Sequence, residues 1–261
     1  MKSININRTN WLLISIVSLV ASAIGVFNID IYAGLVIKDL MPGVFGQDLM
    51  TIAAAILLGL LALITKDNHI NRKIIALGIL GYLFYAYGIY VIEQVYNMLY
   101  LLYMLIFTLS FWGMIYGVAT LGIKNLDRMT LPQWARRISI GVTLLQPIVF
   151  YPLWISALLP LMREGNRIEN LFSVYILDLC FIMPAFLAVA WMLIKKETLG
   201  YVLTPALFIL GFTLIFSLTV SELMKPFFDT PLSPSGIWLS GGLSALFLVA
   251  SFIHVQKLRY E

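Results

Sequence analysis

Asp178 lies in the apolar stretch Val174–Pro184 and is the sole charged residue between Asn170 and Lys195. An ionised carboxylate inside a bilayer costs several kcal/mol unless it is paired, hydrated or protonated, so such acids by default mark ion pathways, proton pathways or ligand sites. The alternative reading is a structural hydrogen bond to a neighbouring helix. Pro184, six residues on, frees a backbone carbonyl near the same level, which helps build a polar pocket or merely a kink. Tyr82, Tyr85, Tyr87, Tyr90, Glu93, Tyr96, Asn97, Tyr100 and Tyr103 crowd a second stretch. Tyrosine favours membrane interfaces, where its ring is buried and its hydroxyl wet. Tyr90 and Glu93 stand one helical turn apart, as do Glu93 and Asn97, so a continuous helix puts them on one face. Two readings follow: an aromatic belt with a solvated loop, or hydroxyls, an acid and an amide lining a polar cavity open to the outside. The expected ligand- or proton/cation-binding set is Asp178, Glu93, Tyr90 and Tyr175.

Other polar residues have simpler readings. Gln47 and Asp48 stand where a helix is expected to begin, and a carboxylate there favours the positive helix end, so capping is expected. Glu222 and Lys225 have the spacing of a rim salt bridge, worth little when exposed. Gln146-Pro147, Tyr151-Pro152 and Pro160 suggest a bent helix. Ser240-Gly241-Gly242 and Ser244 suit close helix packing.

Several chemistries lack their residues. No lysine falls in mid-helix, as a retinal linkage requires. His69 and His254 both fall at helix ends, which argues against haem between helices. There is no H-E-x-x-H, no cluster of zinc ligands and no phosphate-binding loop. Ser233-Pro-Ser-Gly236 matches part of a lipid-phosphatase motif, but Ile237 stands where a histidine should follow, and the arginine partners are missing. Serine proteolysis within the membrane needs a buried Ser–His pair, and Ser244 and His254 sit too far apart on one helix to meet. The single Cys180 allows no intrachain disulfide and no CxxC redox pair. No catalytic residue, metal or cofactor is assigned, and an enzyme is the least favoured reading.

The elements that carry these residues are long apolar runs. Of 261 residues, 61% are hydrophobic and 11% charged, whereas soluble domains carry about 25% charged residues. Helices are expected at 11–27, 49–65, 74–92, 98–121, 138–161, 171–194, 201–220 and 236–255. Each is close to the ~20 residues that cross a bilayer, and helices satisfy their own backbone hydrogen bonds in lipid. The run from Ile74 to Ile123 is too long for one crossing and must turn at Glu93, Gln94 and Asn97. No gap exceeds about 21 residues, which leaves one integral membrane domain over 1–261. The expected fold is all-α: a polytopic membrane protein of eight transmembrane helices.

Loop charge sets the orientation. With the N-terminus inside, only Lys38, Arg163, Arg167 and Lys225 of the 17 basic residues fall outside. The inner set includes Lys66, Arg72, Lys73, Lys124, Arg128, Arg136 and Arg137. Asp30, Asp39, Asp48, Glu93, Glu164, Glu169, Glu222 and Asp229 fall at the outer side. Positive charge gathers on the cytoplasmic side of membrane proteins, so both termini are expected in the cytoplasm. A competing reading takes Lys2, Arg8, Trp11–Val20 and Ala21-Ser22-Ala23 as a cleaved signal peptide, leaving seven helices. Residues Asp30 to Met41, ended by Pro42-Gly43, suit a short interfacial helix or a loop. The prolines of Ser221–Gly236 suit a folded-back or extended loop. No internal repeat relates the halves. The net charge of +4 is spread over short loops and forms no patch for nucleic acid.

Five segments carry a resemblance: Pro42-Gly-Val-Phe-Gly-Gln-Asp-Leu49, Leu80-Gly-Tyr-Leu-Phe-Tyr-Ala-Tyr87, Asn97-Met-Leu-Tyr-Leu-Leu-Tyr103, Tyr175-Ile-Leu-Asp178 with Pro184, and Gly200-Tyr201 with Pro205. Together they span most of the chain and resemble a family of bacterial multi-pass membrane proteins with no assigned activity. The resemblance implies a bacterial cytoplasmic membrane setting and implies no catalytic residue. The expected function is that of a small-solute or ion/proton-coupled transporter-like protein, with an outward-facing polar pocket around Asp178. The alternative is a non-transporting sensor or an assembly subunit of a membrane complex. The lipid bilayer, a small solute or ion, and a membrane-protein partner or second copy are the expected partners.

Overall fold

The computed structural model describes residues 2–121, 129–165, 167–168 and 170–260. Lys124, Arg128 and Glu169 of the loop-charge pattern lie outside the described residues. The fold is all-helical. Among the described residues, eight helices are long and apolar enough to cross a membrane: α1 (Lys2–Phe27), α2 (Met41–Ile64), α3 (Ile70–Ile92), α4 (Tyr100–Ala119), α5 (Gln133–Glu164), α6 (Phe172–Lys195), α7 (Thr198–Met224) and α8 (Pro234–Lys257). This supports a multi-pass membrane protein.

The helices lie where the apolar runs predict them, but several begin earlier. α2 starts at Met41, eight residues before the expected Leu49. Pro42 does not end the preceding segment; it sits in the first turn of α2, where a missing N–H costs nothing. The chain between α1 and α2 forms two single 3₁₀ turns, Ile29–Tyr32 and Lys38–Leu40, rather than an interfacial helix. α5 runs unbroken through Pro147, Pro152 and Pro160. α3 ends at Ile92, and the left-handed backbone of Gln94 makes the turn expected there.

α3 is the centre of the bundle and touches α2, α4, α6 and α7. Its residues from Ala76 to Gly88 are all buried. In lipid an apolar surface gives no drive toward the interior; the hydroxyls of Tyr82, Tyr87 and Tyr90, each bonded to α1 or α2, suit α3 to the inside of the bundle. Close approach depends on missing side chains: a methyl at Gly78 would meet Ile209 and the Ala206 carbonyl, and one at Gly117 in α4 would meet Leu77. α8 lies along α7, joined by Thr219 Oγ1–H to Ser240 Oγ at 2.9 Å; Ser240 and Ser244 are buried, but Gly242, expected with them at a packing face, is exposed and has no neighbour that a side chain would meet. A two-residue strand pair, β1 (Met129–Thr130) with β2 (Arg259–Tyr260), ties the α4–α5 connection to the segment after α8.

Candidate functional site

A cavity of about 470 Å³ opens at the end of the bundle where the α1–α2, α3–α4 and α5–α6 connections gather. That size holds a small ligand. Asp178, Glu93 and Tyr90 all line it, as do Gln47, Gln146 and Trp154. Much of the remaining wall is aliphatic or aromatic. Among the described residues that line it there is no lysine, arginine or histidine. Among the described residues, no cation therefore lines the cavity beside its two carboxyl groups.

The backbone of α6 presents Asp178. Residues Asp178–Ile182 form a π-helical turn, closed by the Met183 N–H on the Asp178 carbonyl. Pro184 follows and supplies no N–H to the ladder, so the turn must widen where the proline stands. Such bulges re-aim the side chains around them. Asp178 is 7% exposed, and its Oδ2 accepts from Trp154 Nε1–H of α5 at 2.7 Å. The Tyr85 hydroxyl of α3 interacts with the same carboxyl. Tyr175 does not line the cavity. Its ring packs edge-on against Trp154, 5.1 Å between centroids, so it reaches Asp178 through that indole.

Glu93 lies past the end of α3 and does not share a helical face with Asn97. Its Oε1 accepts the Ser173 N–H at 2.8 Å. Leu171, the residue before α6, is left-handed and offers no side-chain cap. Glu93 therefore caps α6 from the α3–α4 turn, filling one of the orphan donors of a helix start. Asn97 instead closes its own turn, accepting from the Leu99 N–H and donating to the Tyr103 hydroxyl at 3.0 Å each.

The capping role expected for Asp48 is overturned. Because α2 begins at Met41, Asp48 lies two turns inside it and is 1% exposed. Its Oδ2 accepts from the Tyr32 hydroxyl at 2.7 Å and its Oδ1 from the Tyr90 hydroxyl at 3.1 Å. The Tyr103 hydroxyl continues the chain to Tyr32 at 3.4 Å. Burial, then the neighbouring Tyr90 and Asp48, push the Tyr32 hydroxyl well above its ordinary range, so it stays a donor. Gly25 of α1 packs against this carboxyl, and any side chain there would collide with Asp48 and Tyr32. Gln47 faces the cavity and donates to the Ala86 carbonyl. The sequence held one signal for Asp48: it is the sole charged residue from Met41 to Ile64, as Asp178 is in α6.

A buried Ser–His pair does exist, contrary to the sequence expectation. It joins different helices: Ser139 Oγ of α5 meets His254 Nδ1 of α8 at 2.8 Å, and His254 Nε2 meets the Tyr201 carbonyl of α7 at 2.8 Å. His254 lies in the last turn of α8, at a helix end as expected, and is wholly buried. The carbonyl must accept from Nε2–H, which leaves Nδ1 to accept from the serine. Neither residue lines the cavity. The arrangement is a staple across three helices.

The remaining expectations concern the rim and metals. Glu222 and Lys225 form an ion pair at 2.8 Å. Among the described residues no group of three potential metal ligands comes together. Comparison with protein-family models, characterised proteins and solved structures gives no match, so the family resemblance rests on its own segments.

Proposed function

We propose that this chain is a transporter-like membrane protein whose cavity takes a small cationic solute or ion at Asp178. Glu93 and Tyr90 line the approach, and Tyr175 steadies Trp154 behind it. The observation that carries the reading is the cavity's charge balance: two carboxyl groups and no described basic side chain in a largely apolar wall. In such surroundings a carboxylate gains from a cation far more than it would in water. Tyr85, Phe150 and Trp154 add aromatic residues to the lining, and aromatic rings attract the same charge. The loop charges favour a cavity open to the outside and both termini within, and the family resemblance favours a bacterial cytoplasmic membrane.

The test is binding and flux of tetraphenylphosphonium and of smaller ammonium ions with the full chain in proteoliposomes. Saturable uptake that Asp178→Asn reduces at least about tenfold, the scale of one lost ion pair, supports the reading. Uptake indifferent to Asp178 overturns it. No flux, with a stoichiometric partner retained on gentle purification, favours the sensor or assembly reading.

A further inference from the structure

We propose that Asp48 is a proton-binding site, filled and emptied from the cavity through Tyr90. This deepens the reading of the cavity as a solute site; it rests on that reading for the solute and not for the proton.

Three observations meet here. Asp48 is sealed, with 1% exposure, and does not line the cavity. Its partners are two hydroxyls, Tyr32 and Tyr90. Tyr90 alone of those two belongs to both places, since it lines the cavity and donates to Asp48 Oδ1.

The ionisable groups around Asp48 are few. The α1–α2 connection supplies Tyr32, α3 supplies Tyr82, Tyr87 and Tyr90, and α4 supplies Tyr103. α1 presents Gly25, and α7 presents Ser221 against Gly46, two residues before Asp48. α2 itself holds no other charged residue. No cation faces the carboxyl among the described residues, so nothing there fixes it as an anion.

Both protonation states keep their hydrogen bonds. The ionised carboxylate accepts from both hydroxyls. The protonated acid donates from Oδ1 to the Tyr90 oxygen, whose own hydrogen turns away from the carboxyl. Loading is balanced: Tyr90 passes its hydroxyl proton to Oδ1 and takes one at its oxygen from a hydronium ion in the cavity, which is left as water. The tyrosine ends unchanged, and one proton has moved inward. Release runs in reverse.

The test is infrared spectroscopy of the full chain in nanodiscs, from about pH 4 to about pH 9, a range that spans the values carboxyl groups take in proteins. A buried carboxylic-acid carbonyl band that titrates, persists in Asp178→Asn and Glu93→Gln, and vanishes in Asp48→Asn is the expected result. In Tyr90→Phe the band should remain, while its exchange with deuterated solvent slows by about tenfold or more. If Asp48→Asn does not fold, Tyr32→Phe makes the assignment, because loss of the Oδ2 partner must move the band. A band unaltered in Asp48→Asn, or unmoved in Tyr32→Phe, overturns the proposal; so does its absence down to the lowest pH. An exchange rate unchanged in Tyr90→Phe overturns the route. None of these measurements uses a solute. A cavity that binds no cation therefore leaves them standing, and their failure leaves the cavity reading to its own test.

Discussion

Tyr90 donates its hydroxyl to Asp48 at 3.1 Å and also lines the cavity that holds Asp178 and Glu93. One side chain thus separates a sealed carboxyl from an open pair. Removing the acceptor should be costly. Asp48→Ala strands the hydroxyls of Tyr32 and Tyr90 in a buried site, at about 1–3 kcal/mol for each unsatisfied group. We expect a loss of about 2–5 kcal/mol in reversible unfolding in mixed micelles. A loss under about 0.5 kcal/mol, the scale of an ordinary surface change, would place water rather than protein at those hydroxyls.

Gly25 tests the same site from α1. A methyl there runs into the Asp48 carboxyl and the Tyr32 hydroxyl, neither of which is the loose end of a flexible chain. Gly25→Ala should cost about 1–3 kcal/mol, the range for overpacking. In Asp48→Ala much of that clash is gone, so the two changes should be strongly non-additive, by about 1 kcal/mol or more. Additive losses in the double-mutant cycle would show that Gly25 serves helix flexibility instead.

The helices were legible because each apolar run matches the thickness of a bilayer, and Asp178 stood out because nothing else charged shares its run. Asp48 obeys the same rule, and one feature hides it in the sequence. Placing the start of α2 at Leu49 turned a mid-helix acid into a capping residue. Pro42 was the overlooked marker, since proline is favoured in the first turn of a helix as well as beyond its end. Tyr32 and Trp154 carry no such mark. Their roles come from which helices touch, as do those of Ser139 and His254, and pairings 115 residues apart leave no local pattern to read.

Glu93 has two separable roles, because its Oε1 holds the Ser173 N–H while the residue lines the cavity. Glu93→Gln keeps a carbonyl oxygen for the cap and removes the charge. Glu93→Ala removes both. The alanine variant should lose about 1 kcal/mol of stability, the usual worth of a helix cap, and the glutamine variant a few tenths. If cation binding depends on the charge, the two should weaken it equally despite their different stabilities. Equal stability losses would mean that the cap depends on charge rather than geometry.

The Ser139–His254–Tyr201 staple should matter for stability and not for transport. Ser139→Ala leaves His254 Nδ1 buried without its donor, at a cost of about 1–3 kcal/mol. Neither residue lines the cavity. Uptake per folded molecule should therefore stay within about twofold of the wild type, a change worth less than one ordinary hydrogen bond. Lost uptake at unchanged stability would assign the pair a working role.

Asp178 and Trp154 separate structure from function most sharply. Asp178→Asn keeps an amide oxygen to accept the Trp154 Nε1–H, so the hydrogen bond between α5 and α6 survives. It also removes an acid held at 7% exposure, whose ionised form is costly there. The asparagine variant should be as stable as the wild type or more so, since sites kept for activity commonly sacrifice stability. Trp154→Phe keeps most of the ring and deletes the donor, which should cost about 1–2 kcal/mol, more than a neutral hydrogen bond because the acceptor is a carboxyl group. Thermal melts of both variants, beside cation uptake, give the decision. Stable and inactive for Asp178→Asn, with destabilised and partly active for Trp154→Phe, is the pattern of a binding carboxyl held by a structural indole. If Asp178→Asn melts several degrees below the wild type, the carboxyl is itself part of the packing. The cavity then loses the group on which the transporter reading depends.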